Sequence, residues 1–191
     1  MKKQLLTITA LGALAAMSSA SAATLIGQTS YNGHTYELYD QYGISWSAAQ
    51  ANATSSGGYL AVLTDTAEIK AVYNGLIGTG FFQPVAGQST EAWLGATPKD
   101  GTFSTTSNQN WKWVTGESWT ADDASNFGAG EPNGDSTGLA INRYGNFQFN
   151  DEGGSVGGYI VEKSSVPDGG STVALLGAAM GAVAFVRRKI S

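Results

Sequence analysis

The sequence predicts one α+β domain, and three observations carry that reading. A tyrosine-rich run near the start alternates apolar with polar side chains. Two short segments show helical periodicity behind capping residues of their own. The second half is rich in glycine and small polar residues, punctuated by tryptophan and phenylalanine. Strands and helices gathered ahead of a long loop-rich region fit an α+β arrangement.

The elements follow in order. In TSYNGHTYELYD, Tyr31, Tyr36, Leu38 and Tyr39 alternate with polar groups, which predicts a half-buried hairpin or strand. Ser45 can cap a short helix over WSAAQANATSS, in which Trp46, Ala49 and Ala53 share one face. Gly57-Gly58 ends it, and YLAVL predicts a buried strand. Thr64 or Asp65 then caps a second helix, TAEIKAVYNGL, with Ile69, Val72, Tyr73 and Leu76 inward. This half reads as scaffold, because it gathers no cluster of chemical groups.

From Gly78 onward the apolar runs are short: AWLGA, WKWVTG, LAI, FQF and GYIVE. The region reads as strand-poor and loop-rich, and long irregular stretches inside a compact domain are usually functional or disordered. Recurring aromatic residues argue against disorder, since each can anchor a loop to a core. Trp93, Trp111 and Trp113 read as core, Trp119 less clearly so. Asp122-Asp123 reads as a solvated loop or a helix cap, and His34, the one histidine, as a half-buried structural residue.

The ends have a different character. Lys2 and Lys3, an apolar run from Leu5 to Met17 and small residues to Ala22 make the pattern of a secretory signal peptide, with cleavage expected after Ala22 or Ala23. At the other end, Val166-Pro167-Asp168-Gly169-Gly170 precedes an uncharged stretch, Ser171 to Val186, and then Arg187, Arg188 and Lys189. That stretch is shorter than the ~20 residues of a comfortable membrane span, so it reads as a helix for a thin bilayer or a temporary anchor. The basic cluster would stay on the cytoplasmic side. The expected division is a signal peptide over 1–23, one domain over 24–165 and a sorting tail over 166–191.

This tail resembles the bacterial PEP-CTERM sorting signals, which share its order of motif, apolar helix and basic end. The resemblance implies export in a Gram-negative bacterium to the cell envelope, cell surface or extracellular matrix. It also implies recognition by an exosortase-type membrane enzyme and removal of the tail near the motif.

The domain between the ends carries five basic residues against fourteen acidic ones, a net charge of −9, whereas the whole chain of 191 residues carries −5. So acidic a domain repels nucleic acid and anionic lipid and suits a cation ligand. Cysteine is absent, although the leader sends the domain where disulfides persist. The fold must stand on its core, or on a core plus bound metal.

An enzyme is disfavoured: there is no cysteine, one histidine, no Gly-rich phosphate loop followed by Lys and no nucleophile-elbow serine. A glycosidase would need paired carboxylates across a cleft, for which Glu131 and Asp151 are the candidates.

In GAGEPNGDSTG, Glu131 and Asn133 flank Pro132 within a stretch that offers little to a hydrophobic core. With YNGHTYELYD, SWSAAQANATSSGGYLAVLTDTAE, AWLGA, WKWVTGE, SNFGAGEPNG, FND and GGYIVEK in register, the domain resembles the C-type lectins over nearly its whole length. The resemblance implies a C-type lectin-like fold, two helices flanking small antiparallel sheets with a long loop region. It implies a cis Glu131-Pro132 bond and calcium held by Glu131, Asn133, Asn150 and Asp151, all of them oxygen donors as that hard ion requires. It implies carbohydrate binding by the same four residues, with preference for mannose- or glucose-type vicinal diols of an extracellular polysaccharide.

Three departures from the family stand out. Ser136, Thr137, Gly138 and Leu139 occupy the stretch of a further acidic ligand, for which Asp135 would have to substitute by a loop shift. Phe127 and Phe149 replace tryptophans. The disulfide positions read Ala53 with Val161, and roughly Gly138 with Gly154. The missing ligand leaves an alternative open, a protein-binding or matrix-structural module that uses the fold without sugar.

Overall fold

The computed structural model describes residues 22–83, 90–99, 101, 110–134, 138–143, 145–154 and 156–164. Most of the expected signal peptide, Asp135 and the tail that begins at Val166 lie outside the described residues.

The tyrosine-rich run forms an antiparallel hairpin of β1 (Thr24–Tyr31) and β2 (His34–Ile44). Asn32 and Gly33 both take positive φ at its turn, the geometry that matches the twist of two-residue hairpins. Helix α1 (Trp46–Ser55) begins at Ser45, whose side chain accepts the Ala48 N–H, and buries Ala49 and Ala53. Of YLAVL only β3 (Tyr59–Leu60) is strand, and Ala61 to Leu63 are buried but irregular. Asp65 caps α2 (Thr66–Leu76) through the Glu68 N–H, and Ile69, Val72, Tyr73 and Leu76 are all buried.

The second half holds more strand than its sequence predicts: β4 (Ala92–Trp93), β5 (Ala96–Pro98), β6 (Trp111–Trp113), β7 (Gly138–Arg143), β8 (Gln148–Glu152) and β9 (Val156–Ser164). Seven strands form one sheet, ordered β1-β2-β9-β4-β7-β8 with β3 also on β9, while β5 and β6 pair separately. The main sheet is therefore neither small nor purely antiparallel, since β4 runs parallel to β9. The physical reason is burial: Val156 to Glu162 are buried at every position, so no alternation marks β9 in the sequence.

Two cores result. One lies under α2 and includes Leu38, Leu63, Ile69, Leu94, Trp111, Trp113, Leu139 and Phe149. The other joins α1 to the opposite sheet face through Ala49, Ala53, Trp93, Ala140 and Val161. Ala53 and Val161 thus belong to one packed cluster where the resembled family would place a disulfide. His34 is half-buried and pairs through Nδ1 with the Glu162 carboxylate.

Candidate functional site

Loop 126–134 is bound along β8. Phe149 N–H donates to the Asn126 carbonyl (2.8 Å) and Gly128 N–H to the Phe149 carbonyl (2.9 Å). Beneath it Phe127 and Phe149 meet edge to face at 6.0 Å, and Trp119 lies 5.2 Å from Trp113 and 5.7 Å from Trp111. The aromatic residues that punctuate this polar half therefore form the floor of the loop. A five-residue helix α3 (Ala121–Ser125) leads into it from a Thr120–Asp123 capping box. Asp123 is fully buried in that box, and burial pushes its carboxyl up while its bonds to Thr120 oppose the shift. Asp122 is exposed and accepts from the Thr66 N–H at the start of α2.

The Glu131-Pro132 peptide bond is cis. Beyond it, Asn133 N–H donates to Asp151 Oδ1 and Gly134 N–H to Asp151 Oδ2, each at 2.8 Å. The buried carboxylate of Asp151 thereby clasps the loop tip to β8 with both oxygens.

Asn150 points to the other face of β8, as period-2 alternation requires. Its Nδ2 donates to Glu91 Oε1 (3.1 Å) and Glu152 Oε2 (3.0 Å). Among the described residues its Oδ1 is buried without a hydrogen-bond partner. Arg143 completes this face, with Nη2 at 2.8 Å from Glu131 Oε1 and Nη1 at 4.0 Å from Glu91 Oε1. The structure thus joins Glu131 to Asn150 through Arg143 and Glu91, and joins Asn133 to Asp151 through the backbone.

Three members of this network, Glu91, Arg143 and Glu152, were not singled out in the sequence. Glu91 and Glu152 follow from strand alternation, once AWLGA and FND are taken as strands. Arg143 carries no such signal, because a bulge determines its direction.

Burial pushes the Glu91 carboxyl up to about 8, and the nearby Glu152 carboxylate adds to the shift, while Arg143 and Asn150 oppose it. Between its ordinary value of 4.5 and about 8 the folded chain keeps a proton that the unfolded chain has lost. This contribution therefore makes stability fall as pH rises through that window, by at most about 1.4 kcal/mol per pH unit. Glu91→Gln is expected to flatten the decline in denaturant titrations run across the window. An unchanged pH slope would show that Glu91 is not its source.

Does this donor set fit calcium? That ion takes about six to eight oxygens at a common centre. Here both Asp151 oxygens face N–H donors, and Glu131 Oε1 receives a guanidinium. Among the described residues no three His, Cys, Asp or Glu side chains converge on a metal position. Asn150 Oδ1 suits a cation or a hydroxyl, but it is a neutral oxygen, and the buried Glu131 Oε2 belongs to a carboxylate already held by a guanidinium that repels a cation. As arranged, the described residues do not fit a resident calcium ion.

A cleft of about 530 Å³ adjoins the network, lined by Trp46, Trp93, Gly138, Glu152, Gly153 and Gly154 among others. A Cβ on Gly138 would stand 2.6 Å from the Trp93 ring, so only glycine leaves that ring in place. Trp46 and Trp93 both use their indole N–H on backbone carbonyls, of Leu94 and Ile44 respectively.

Comparison with solved structures identifies the fold as C-type lectin-like. Human lithostathine superimposes with a TM-score of 0.56 at 15% identity, covering 72% of this chain and 97% of its own. The C-type lectin domain of murine dendritic cell inhibitory receptor 2, solved in complex with N-glycan, gives 0.52 at 16%, covering 72% and 96%. Herring type II antifreeze protein gives 0.50 at 17%, also covering 72% and 96%. At the C-terminus, residues 165–190 match the model of the VPDSG-CTERM motif, a PEP-CTERM-type sorting signal. No curated protein matches the sequence. Among the described residues no helix is long and apolar enough to cross a membrane, and the apolar tail lies outside them.

Proposed function

We propose that the chain is an exported carbohydrate-binding protein, sorted to the cell surface or extracellular matrix by its C-terminal signal and its processing enzyme. Its ligand is a neutral vicinal diol of mannose or glucose type. Glu131, Asn133, Asn150 and Asp151 form the binding region, and the supporting observation is the double clasp of Asp151 on the Asn133 and Gly134 amides. That clasp fixes a carboxylate and an amide at the loop tip, close to a strand that carries a second amide.

A diol hydroxyl can donate to Glu131 and accept from an amide, so carboxylate and amide together read both of its hydrogen-bonding roles. Buried polar groups that complete their bonds only with ligand discriminate strongly against analogues lacking a hydroxyl. Asn150 Oδ1 is such a group. The Trp46-lined cleft offers apolar surface for further sugar units of a polymer.

The test is titration calorimetry with mannose, glucose and galactose. Asn133→Asp is expected to lower affinity for mannose at least about tenfold, because an amide donor becomes a second acceptor, while the exposed position keeps the stability loss below about 1 kcal/mol. Equal losses of binding and stability would remove Asn133 from the site.

A second reading, a structural or protein-binding module, is favoured by the same clasp if its purpose is only to fold the loop. The fold leaves this open, since an N-glycan complex and an antifreeze protein both share it. Absence of binding to any saccharide on a broad glycan array would favour that module.

A further inference from the structure

We infer that the guanidinium of Arg143 stands in for a divalent cation at this site, so that the domain folds and binds without calcium. The inference rests on the carbohydrate reading for its ligand, but its charge argument stands on geometry alone.

The position of Arg143 is built into the sheet. Ala140 pairs with Asn150 and Ile141 with Phe149, but the next partner of Gln148 is Arg143, not Asn142. Asn142 is the extra residue of a bulge and takes φ +87. Such a bulge shifts the alternation by one residue and re-aims the side chain that follows. A regular ladder would place residue 142 on the face of Ala140 and Asn150; the bulge places Arg143 there. Asn142 is held in turn by its own side-chain bonds: Tyr73 donates to its Oδ1 (2.8 Å), and its Nδ2 donates to the Thr90 carbonyl and Oγ1 (3.0 Å each).

The result is a positive group set against the Glu131 carboxylate, with the Glu91 carboxyl group near it. Arg143 lies 2.8 Å from Glu131 and 4.0 Å from Glu91, and the Glu131 side chain is only 3% exposed. A divalent ion at ligand distance from the same Glu131 oxygen would stand within about 5 Å of the guanidinium and be repelled by it. The Arg143 side chain is itself 30% exposed, and a guanidinium can donate to the hydroxyl oxygens of a ligand that reaches it. With the buried Glu131 carboxylate against the guanidinium and Glu152 close by through Asn150, the wall favours a neutral polyol over an anionic sugar.

The experiment measures melting temperature and mannose affinity of the full chain in chelator and in excess calcium. The wild type should melt at the same temperature in both, and its affinity should change less than about twofold. Arg143→Lys keeps the charge and should behave likewise. Arg143→Gln should melt lower in chelator and recover with calcium, the ion replacing the lost charge.

A wild type that gains melting temperature with calcium, or binds mannose only in its presence, overturns the inference. So does an Arg143→Gln protein that calcium leaves unmoved. If no saccharide binds under either condition while the melting pattern holds, the carbohydrate reading fails and the cation substitution stands.

Discussion

Asp151→Ala is expected to reduce carbohydrate affinity at least about a hundredfold while costing about 2–4 kcal/mol of stability. Both losses come from one carboxylate. Its two oxygens accept the Asn133 and Gly134 amides, and it is buried between β8 and the loop tip. Alanine leaves two N–H groups without acceptors, each a charge-assisted bond lost, so the tip detaches from the strand while the sheet keeps its ladder. Asn133 and Glu131 then lose their fixed distance from Asn150, and affinity falls further than stability explains. Asp151→Asn should be intermediate, because one amide keeps an oxygen acceptor. Calorimetry and urea unfolding on the same samples test this, and Asp151→Ala with wild-type affinity would detach the clasp from function.

Glu162→Ala is expected to cause the largest loss of stability, about 3–5 kcal/mol, without touching the affinity of the folded fraction. Glu162 is buried on β9 and gathers three donors: the Val62 N–H (2.9 Å), the Tyr59 hydroxyl (2.8 Å) and His34 Nδ1. Val62 belongs to the irregular segment after β3, where no ladder can satisfy its amide, so the carboxylate holds that segment to the sheet. Truncation leaves a buried N–H and a hydroxyl unpaired together with a cavity. Urea unfolding should show a lowered midpoint with an unchanged slope, and a loss under about 1 kcal/mol would show that water replaces the carboxylate.

Much of the first half was legible in the residues. Ser45 and Asp65 stand where a cap must stand, and the helices they open bury the faces their periodicity defines. The strands of the second half were poorly legible from pattern. β9 is buried on both faces, so its apolar run lacks alternation, and β7 and β8 are short segments between glycines. The resemblance to C-type lectins supplied what periodicity could not, and the solved structures carry the same fold. At the candidate site, Glu131 and Asn133 are marked by their place around a proline. Asp123 was harder to read: it looks like a solvated or capping aspartate, and the structure gives it a capping box and full burial.

By itself the sequence determined the α+β class, the excess of acidic residues ahead of a C-terminal sorting signal, and the residue types gathered in the Glu131 loop. These follow from local chemistry: caps, alternation, charge and motif order are properties of neighbouring residues. Only the tertiary structure decided what those residues face. It turned both Asp151 oxygens onto backbone amides and, through a one-residue bulge held by Tyr73 and Thr90, set Arg143 against Glu131. The direction of a side chain on a strand depends on register, and register is fixed by partners distant in sequence, so no local pattern could have shown that the positive charge at this site belongs to the chain itself.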